Sequence, residues 1–194
     1  VIHPGSSGWM HMARRDEVAR LSESFRRLSE DLLALHYDHD YGDEIIIARH
    51  GKVRGNEFCV GRARYRLVII PESDNMLSST VRLIERYLAS GGRLIVMSRR
   101  PTHIDGEPAA SLDQLFSAPN VVRITCKQAE LVEALEKALA RRVSICNEYS
   151  RQIPSVIYQE RSHAGRTLVM LANRDRKNGY LAHVWLPGAG AVEE

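Results

Sequence analysis

Two short apolar runs with an amphipathic segment between them form the clearest pattern in the chain. Residues 66–71 and 93–98 are mainly apolar, which is the pattern of strands buried on both faces of a parallel sheet. Between them, apolar side chains recur at helical spacing, at Leu77, Val81, Ile84 and Leu88. Either Ser78 or Ser79 is expected to cap this helix, and the glycine pair at 91–92 ends it. A connection of this length predicts a right-handed strand–helix–strand unit, and therefore a parallel sheet with any ligand site at the carboxyl ends of its strands.

Similar patterns predict the other elements of an open, mainly parallel α/β layer. A stripe of apolar residues at spacings of three and four predicts a long first helix that packs on the sheet. The predicted segments are a strand at residues 1–4, a loop at 5–9, a helix over 18–35, a second strand that ends in 36–44, a short helix over 43–50, a small hairpin region over 51–65, a loop at 99–108, a fifth strand at 120–125, and a helix preceded by a capping box at 125–128.

The pattern changes after residue 141. Short strands separated by turns are predicted at residues 143–146, 155–161, 166–172 and 180–186, which is typical of antiparallel β structure. We therefore predict an α/β domain over 1–141 and, over 142–194, an antiparallel extension or the start of a truncated β-sandwich. The chain opens without an initiator methionine as if a strand were under way, and residues 188–194 look like a turn entering another strand. We expect a domain cut from a longer polypeptide.

Composition narrows the function classes. The 194 residues are 44% hydrophobic and 26% charged, as expected of a globular chain with a real core. The net charge of +3 comes from 27 basic and 24 acidic residues that are interspersed, which argues against a nucleic-acid partner. No apolar stretch approaches a membrane span and no signal peptide precedes the first strand, so we expect no membrane partner and a cytoplasmic location. Cys59, Cys126 and Cys146 lack a C-x-x-C spacing and are expected to be buried thiols.

Residues 36–44 hold the densest group of candidate metal ligands or acid–base groups. Asp38 and Asp40 would share one face of a strand, with His39 on the other, so they converge only if the segment turns sharply. The alternative is a structural one, in which these residues are the polar end of the second strand. The glycine-containing loop at 5–9 matches neither glycine-rich phosphate-binding motif, and we expect no cofactor.

Several segments resemble a known domain family. Residues 65–72, 77–80 and 88–97 resemble the class I glutamine-amidotransferase-like domain of large bacterial glycoside hydrolases. That domain follows the catalytic barrel in family-42-type β-galactosidases, where it is called the trimerisation domain. The start of the chain with Trp9, and its tail from residue 153, resemble α-L-rhamnosidase-like enzymes. The resemblance implies a three-layer αβα, flavodoxin-like fold with an open, mainly parallel sheet, followed by antiparallel strands.

The catalytic elements of that family are missing from this sequence. At the position where amidotransferases carry a G-x-C-x-G elbow, residues 96–100 are Val-Met-Ser-Arg-Arg. Ser98 could be a substitute nucleophile, but its arginine neighbours offer no general base. Glycoside hydrolysis ordinarily needs two opposed carboxylates. The acids expected near the carboxyl edge of the sheet are Asp38, Asp40, Glu72, Asp74 and Asp105.

We therefore predict a non-catalytic accessory domain of a glycoside hydrolase. Its partners would be the catalytic barrel of the same longer chain, further copies of itself, or carbohydrate. The alternatives are a carbohydrate-binding module and an independent small hydrolase. The residues expected to contact a carbohydrate or a neighbouring domain are Trp9, Asp40, Glu72, Ser98, Arg99, Arg100 and His103.

Overall fold

A computed structural model of the protein describes residues 1–186 and shows a mixed α/β structure. Two compact units are present: the first comprises Val1–Leu28 and Asp40–Leu139, and the second comprises Ser29–His39 and the chain from Ala140 onward. The helices are α1 (Gly5–Met10), α2 (Arg15–Ala34), α3 (Glu44–His50), α4 (Ser78–Ala89), α5 (Ser111–Leu115) and α6 (Gln128–Ala138). The predicted domain boundary after residue 141 stays a prediction.

The strands of the first unit are β1 (Gly51–Arg54), β2 (Glu57–Val60), β3 (Ala63–Tyr65), β4 (Leu67–Ile70), β5 (Asn75–Met76), β6 (Arg93–Met97), β7 (His103–Ile104), β8 (Glu107–Pro108) and β9 (Val121–Ile124). Strands β4, β6 and β9 form a parallel sheet in which Ile69 lies opposite Ile95, and Ile95 opposite Val122. The parallel arrangement predicted from the two apolar runs is confirmed.

The first two predicted strands are reduced to single residues beside this sheet. The Ile2 amide donates to the carbonyl of Ile69 (2.9 Å), and Ile2 forms an isolated parallel bridge with Gly42. The predicted first strand at 1–4, and the predicted second strand that ends in 36–44, are therefore wrong in extent. Pro4 explains part of the difference, because it has no amide hydrogen to donate and is followed at once by α1. The resulting order across the sheet is Gly42, Ile2, β4, β6, β9.

Helix α4 buries one face in the core of the first unit. Tyr87 is fully buried, and its hydroxyl, which has one hydrogen to donate, lies 3.0 Å from the carbonyl oxygen of Arg66 and 3.1 Å from that of Arg93, where β4 and β6 begin. A Cβ atom at Gly92 would lie 2.3 Å from the Tyr87 ring, so only glycine fits there without a shift of the ring. The Tyr87 side chain therefore connects α4 to the starts of β4 and β6.

The helix caps differ from the predicted ones. Leu77 is the N-cap of α4, and neither predicted serine caps it. Acidic side chains from other elements accept the exposed amides instead: Glu44 accepts from Leu77 N (2.8 Å) and Asp105 from Ser78 N (3.0 Å). Before α6, the acid that pairs with Thr125 is Glu130, whose carboxylate accepts from Thr125 N (2.7 Å), so the predicted box with Gln128 is wrong.

Two small sheets complete the first unit. Strands β1, β2 and β3 form the antiparallel meander predicted over 51–65, which is confirmed. Strands β7 and β8 form a short hairpin, with β7 parallel to β5, in the segment predicted to be a loop. The loop prediction for 99–108 is corrected accordingly.

The second unit is built from antiparallel pairs. Strand β10 (Ser144–Cys146) pairs with β13 (His183–Trp185), and β11 (Val156–His163) pairs with β12 (Arg166–Asn173). The predicted antiparallel strands are confirmed here, whereas the strand expected near 188–194 lies outside the described residues. Among the helices of residues 1–186, none is long and apolar enough to cross a membrane.

Candidate functional site

The candidate site lies where the parallel strands end. Residues 72–74 follow β4, Ser98 and Arg99 follow β6, and Cys126 follows β9 shortly after its last residue. Because parallel strands end at the same edge of a sheet, these side chains are brought to one edge, together with α1, which follows Ile2. We call the interacting set at this edge the carboxyl-edge network, and its members are His11, Glu17, Arg20, Glu72, Asp74, Arg99 and Cys126.

Asp74 is the centre of the carboxyl-edge network. Arg99 approaches it in a bidentate manner, with Nε 2.9 Å from Oδ1 and Nη2 3.1 Å from Oδ2. His11 Nε2 lies 2.8 Å from Oδ2. Burial alone would raise the pKa of Asp74, but the hydrogen bonds from Arg99 and His11 outweigh burial and hold that pKa below its usual value. Asp74 is therefore an ionised carboxylate with its charge already balanced.

The other carboxylates of the network are paired in the same way. Arg20 lies 3.0 Å from Glu17 and 3.3 Å from Glu72, and Arg99 also reaches Glu17 at 3.0 Å. Arg20 also lies 3.5 Å from Asp74, so Arg20 contacts three carboxylates and Arg99 contacts two. Both guanidinium groups are therefore paired within the network, as in a structural ion-pair network.

Cys126 is the thiol at this edge, and its surroundings favour the protonated form. The expectation of three buried cysteines is corrected, because Cys59 is buried, Cys146 is half-buried and Cys126 is exposed. The Cys126 thiol donates to Glu72 Oε1 (3.1 Å). Partial burial and the neighbouring Glu72 carboxylate raise the pKa of the Cys126 thiol to about 11. A thiol with this pKa is protonated at neutral pH, and the thiolate is the form that attacks substrates.

His11 is the histidine of the network, and both of its ring nitrogens have partners. The side chain is 5% exposed. Arg14 donates to Nδ1, so Nε2 carries the hydrogen that is donated to Asp74. With both ring nitrogens hydrogen-bonded, His11 connects Arg14 to Asp74 within the network.

Helix α1 packs against the residues that follow β4, beyond the point where Ile2 and β4 pair. Ser7 is 0% exposed, and its Oγ accepts hydrogen bonds from the amides of Asp74 and Asn75, both at 2.9 Å. The hydroxyl of Ser6 donates to the carboxylate of Glu44, which is itself buried. Burial raises the pKa of Glu44 above its usual value. In doubly wound sheets this position, where the strand order reverses, is the usual ligand crevice.

Sequence reasoning missed the residues that fill this crevice. Residues 5–9 were predicted to be a loop, and the structure corrects this to the short helix α1. Ser6, Ser7 and His11 were not predicted to matter, because their partners lie more than thirty positions away along the chain. The signal that was present is the polar pair Ser6–Ser7 directly after the first predicted strand, at the edge where ligands bind.

The predicted contact residues are divided between several places. Glu72 and Arg99 belong to the carboxyl-edge network, and Ser98 beside them is exposed. Trp9 is 56% exposed on α1. Two more lie on the segment after β6: Arg100 pairs with Asp113 (2.6 Å), and His103 Nδ1 lies 2.9 Å from Thr102 Oγ1.

Asp40 does not belong to the carboxyl edge, which corrects the sequence prediction. Its carboxylate accepts from the hydroxyl of Tyr65 (2.8 Å), and Tyr65 lies just before β4 begins. Asp40 also precedes Gly42, the bridge partner of Ile2, and is therefore near the amino ends of the strands. Asp38 belongs to the second unit.

The predicted ligand group at 36–44 is dispersed. His36 is buried in the second unit, where Nε2 lies 2.9 Å from the carbonyl of Val156 and 3.2 Å from that of Ile153. Burial lowers the pKa of His36. Across residues 1–161 and 164–186, no three His, Cys, Asp or Glu side chains are grouped so that they could hold a metal ion. Asp43, near the end of the segment, is the N-cap of α3, with its Oδ1 2.9 Å from Ile45 N.

Comparison with known proteins shows a similarity in fold to a solved structure. No protein-family model matches the chain, and no curated protein matches it. The crystal structure of apo exo-carrageenase GH42 from Bacteroides ovatus is similar over 78% of this chain, with a TM-score of 0.52 and 14% sequence identity. The similarity covers 20% of that enzyme, so this chain spans about a fifth of its length. The chain thus shares its fold with one part of a glycoside hydrolase.

Proposed function

We propose that this chain is a non-catalytic accessory domain of a larger glycoside hydrolase. The observation that carries the proposal is the filled crevice at the carboxyl edge. Ser7 and Ser6 occupy the position where a sheet of this order would bind a ligand, and their hydrogen bonds go to the protein's own backbone and to Glu44. The fold similarity to a part of an exo-carrageenase supports the same assignment.

The finer proposal is a class I glutamine-amidotransferase-like scaffold with three αβα layers. The order Gly42, Ile2, β4, β6, β9 corresponds to the 2-1-3-4-5 order of flavodoxin-like sheets. At the position that follows β6, where an amidotransferase would carry its cysteine, this chain has the exposed Ser98 and the ion-paired Arg99. A scaffold kept without its reactive residues is consistent with function that resides in sites and not in folds.

The exposed apolar surface of the second unit supports a role in assembly. On β12, Leu168 is 56% exposed and Met170 is 61% exposed, and Trp185 on β13 is 68% exposed. Contiguous exposed apolar side chains typically mark contact with another protein surface, and Leu168 and Met170, two residues apart on β12, share one face of that strand. We propose that the second unit packs against the catalytic barrel of the longer chain or against another copy of this domain.

Activity measurements on the purified 194-residue chain test the proposal. We expect no hydrolysis of chromogenic glycosides and no release of ammonia from glutamine, because the carboxyl edge offers no free nucleophile and base. Robust turnover that is abolished by Ser98→Ala or by Asp40→Asn would overturn the non-catalytic assignment.

Self-association is the second measurement. If the apolar surface of the second unit makes a contact between copies, light scattering after size exclusion should give a dimer or trimer, and Leu168→Ser with Met170→Ser should shift it to the monomer. A monomer in both cases leaves the catalytic barrel as the proposed partner. An oligomer that the double variant does not affect would contradict this surface as the contact.

A further inference from the structure

One face of the β1–β2–β3 meander is strongly basic. The antiparallel register places Lys52 opposite Cys59, and Cys59 opposite Arg64, so these three residues form a row across one face. Arg54 lies two residues further along β1, on the same face. Arg62 is in the turn before β3. We call this surface, made by Lys52, Arg54, Arg62 and Arg64, the basic meander face.

The opposite face of the meander packs against the core of the first unit. Phe58 is 2% exposed and belongs to the core of the first unit, and Val53 and Tyr65 pack against that core. The alternation along the strands therefore turns apolar residues inward and basic residues outward. Since the fold needs only the inner face, the outer face is free to carry a function.

The basic side chains converge on an open cleft of about 310 Å³. All four basic side chains are exposed. Cys59, which is buried, and Gly61, which is exposed, complete the lining of the cleft. Glu57 is the single acidic residue between positions 51 and 65, and it lies 3.6 Å from Arg64. Within residues 1–186, the other three cations have no ion-pair partner. The cleft therefore combines a concave shape with uncompensated positive charge, unlike the carboxyl-edge network, whose arginines are all paired.

The spacing of the cations indicates a ligand with several separate anionic groups. Lys52 and Arg54 are two residues apart on one strand, about 7 Å, and Lys52 and Arg64 are two strand spacings apart, about 10 Å. These distances exceed the size of a single oxyanion. Arginine guanidinium groups bind oxyanions such as sulfate and carboxylate through paired hydrogen bonds.

The absence of aromatic residues on this face argues against single-stranded nucleic acid. Proteins that bind single strands combine cations with aromatic side chains on which bases stack. On the meander, the aromatic residues Phe58 and Tyr65 belong to the inner face.

We propose that the basic meander face binds an anionic oligosaccharide, a glycan that carries sulfate or carboxylate groups. The charge of the ligand follows from the cleft, whereas its sugar backbone rests on the proposed role within a glycoside hydrolase. The site would hold a charged glycan chain near the enzyme while the catalytic residues lie elsewhere.

Calorimetric titration of the 194-residue chain with matched oligosaccharides tests the proposal. Dextran sulfate and neutral dextran of equal length differ only in sulfation, and an oligogalacturonate supplies carboxylates in place of sulfates. We expect binding of one or both anionic glycans, none of neutral dextran, and weaker binding as salt is raised from 50 to 300 mM, values chosen to span the screening range. The two anionic probes distinguish a sulfate-selective from a carboxylate-selective site.

A charge-matched pair of variants localises the site. Arg54→Gln with Arg62→Gln should lower the affinity by about 5- to 30-fold, the effect of removing two exposed ion pairs. Lys127→Gln with Lys137→Gln removes the same charge from side chains that are 78% and 72% exposed elsewhere, and should change the affinity by less than about twofold. Circular dichroism verifies that both variants are folded.

Several results would overturn the proposal. They are failure of both anionic glycans to bind at 50 mM salt, an equal loss in the two double variants, or binding of a single-stranded 12-mer DNA at least as tight as that of the glycans. Failure of the accessory role would show differently, as catalytic turnover by the chain, so the two proposals can fall separately.

Discussion

Replacing Ser7 by alanine should destabilise the fold although no exposed group is changed. The Ser7 hydroxyl is the acceptor for two buried amides, those of Asp74 and Asn75, each at 2.9 Å. Alanine cannot accept these hydrogen bonds. Because the Ser7 side chain is 0% exposed, water has no direct access to the two amides. An unsatisfied buried donor costs about 1–3 kcal/mol, which gives about 2–4 kcal/mol for the pair after some relaxation. This is a large share of a typical stability of about 5–15 kcal/mol.

Urea unfolding followed by circular dichroism measures this loss. With a typical slope of about 2 kcal/mol per molar urea, the Ser7→Ala midpoint should fall by about 1–2 M. Ser98→Ala is the matched control, because it removes the same hydroxyl from an exposed serine at the same edge, and it should change the stability by less than about 0.5 kcal/mol. If Ser7→Ala were as stable as Ser98→Ala, the interpretation of α1 as the filling of the ligand crevice would be wrong.

Three further predictions concern packing, thiol chemistry and pH. Gly92→Ala should cost about 1–3 kcal/mol by forcing a Cβ onto the ring of Tyr87, and it should cost less in a Tyr87→Ala background; an equal cost in both would exclude this clash as the cause. The rate of alkylation of Cys126 by iodoacetamide, measured in a Cys146→Ser variant, should rise about tenfold per pH unit from pH 7 to 10, because the Cys126 thiol has a pKa of about 11. A rate that levels off near pH 8.5 would contradict that value. Burial raises the pKa of Glu44 in the folded protein above 4.5, so the folded state binds the Glu44 proton more tightly than the unfolded chain does. Stability is therefore lost as pH rises from 4.5 through the folded pKa, and the wild-type chain should lose stability over that range relative to Glu44→Gln. A constant difference in urea midpoint between the two proteins from about pH 4 to 7 would refute the shift.

The parallel sheet could be predicted because its signal is local. The runs at 66–71 and 93–98 each supply one buried strand, and the helix between them leaves few alternatives to a right-handed crossover. Glu72 and Arg99 could be predicted at the candidate site for the same reason, since each directly follows a recognised strand.

The remaining parts of the site depend on pairings that no local pattern records. Helix α1 has two glycines and two serines among its six residues, which are weak helix formers, and it is held by contacts of Ser7 with residues 74–75. Asp40 was misplaced because 36–44 was expected to be the carboxyl end of the second strand, whereas in this segment Gly42 bridges to Ile2 and Asp40 precedes it. Strands β7 and β8 are two residues each, too short to show alternation.

The position of Ile2 has a consequence for how the protein is made. Ile2 lies inside the sheet, between Gly42 and β4, and its amide is bonded to Ile69. During translation, the segment that carries Ile2 emerges before the segment that carries Ile69, and Ile2 stays unpaired until both have emerged. Helix α2 can form in the interval, since its hydrogen bonds are local, but the centre of the sheet closes late. The nascent chain consequently passes through a stage in which the apolar Ile2 is accessible to chaperones, and this delay follows from the strand order itself.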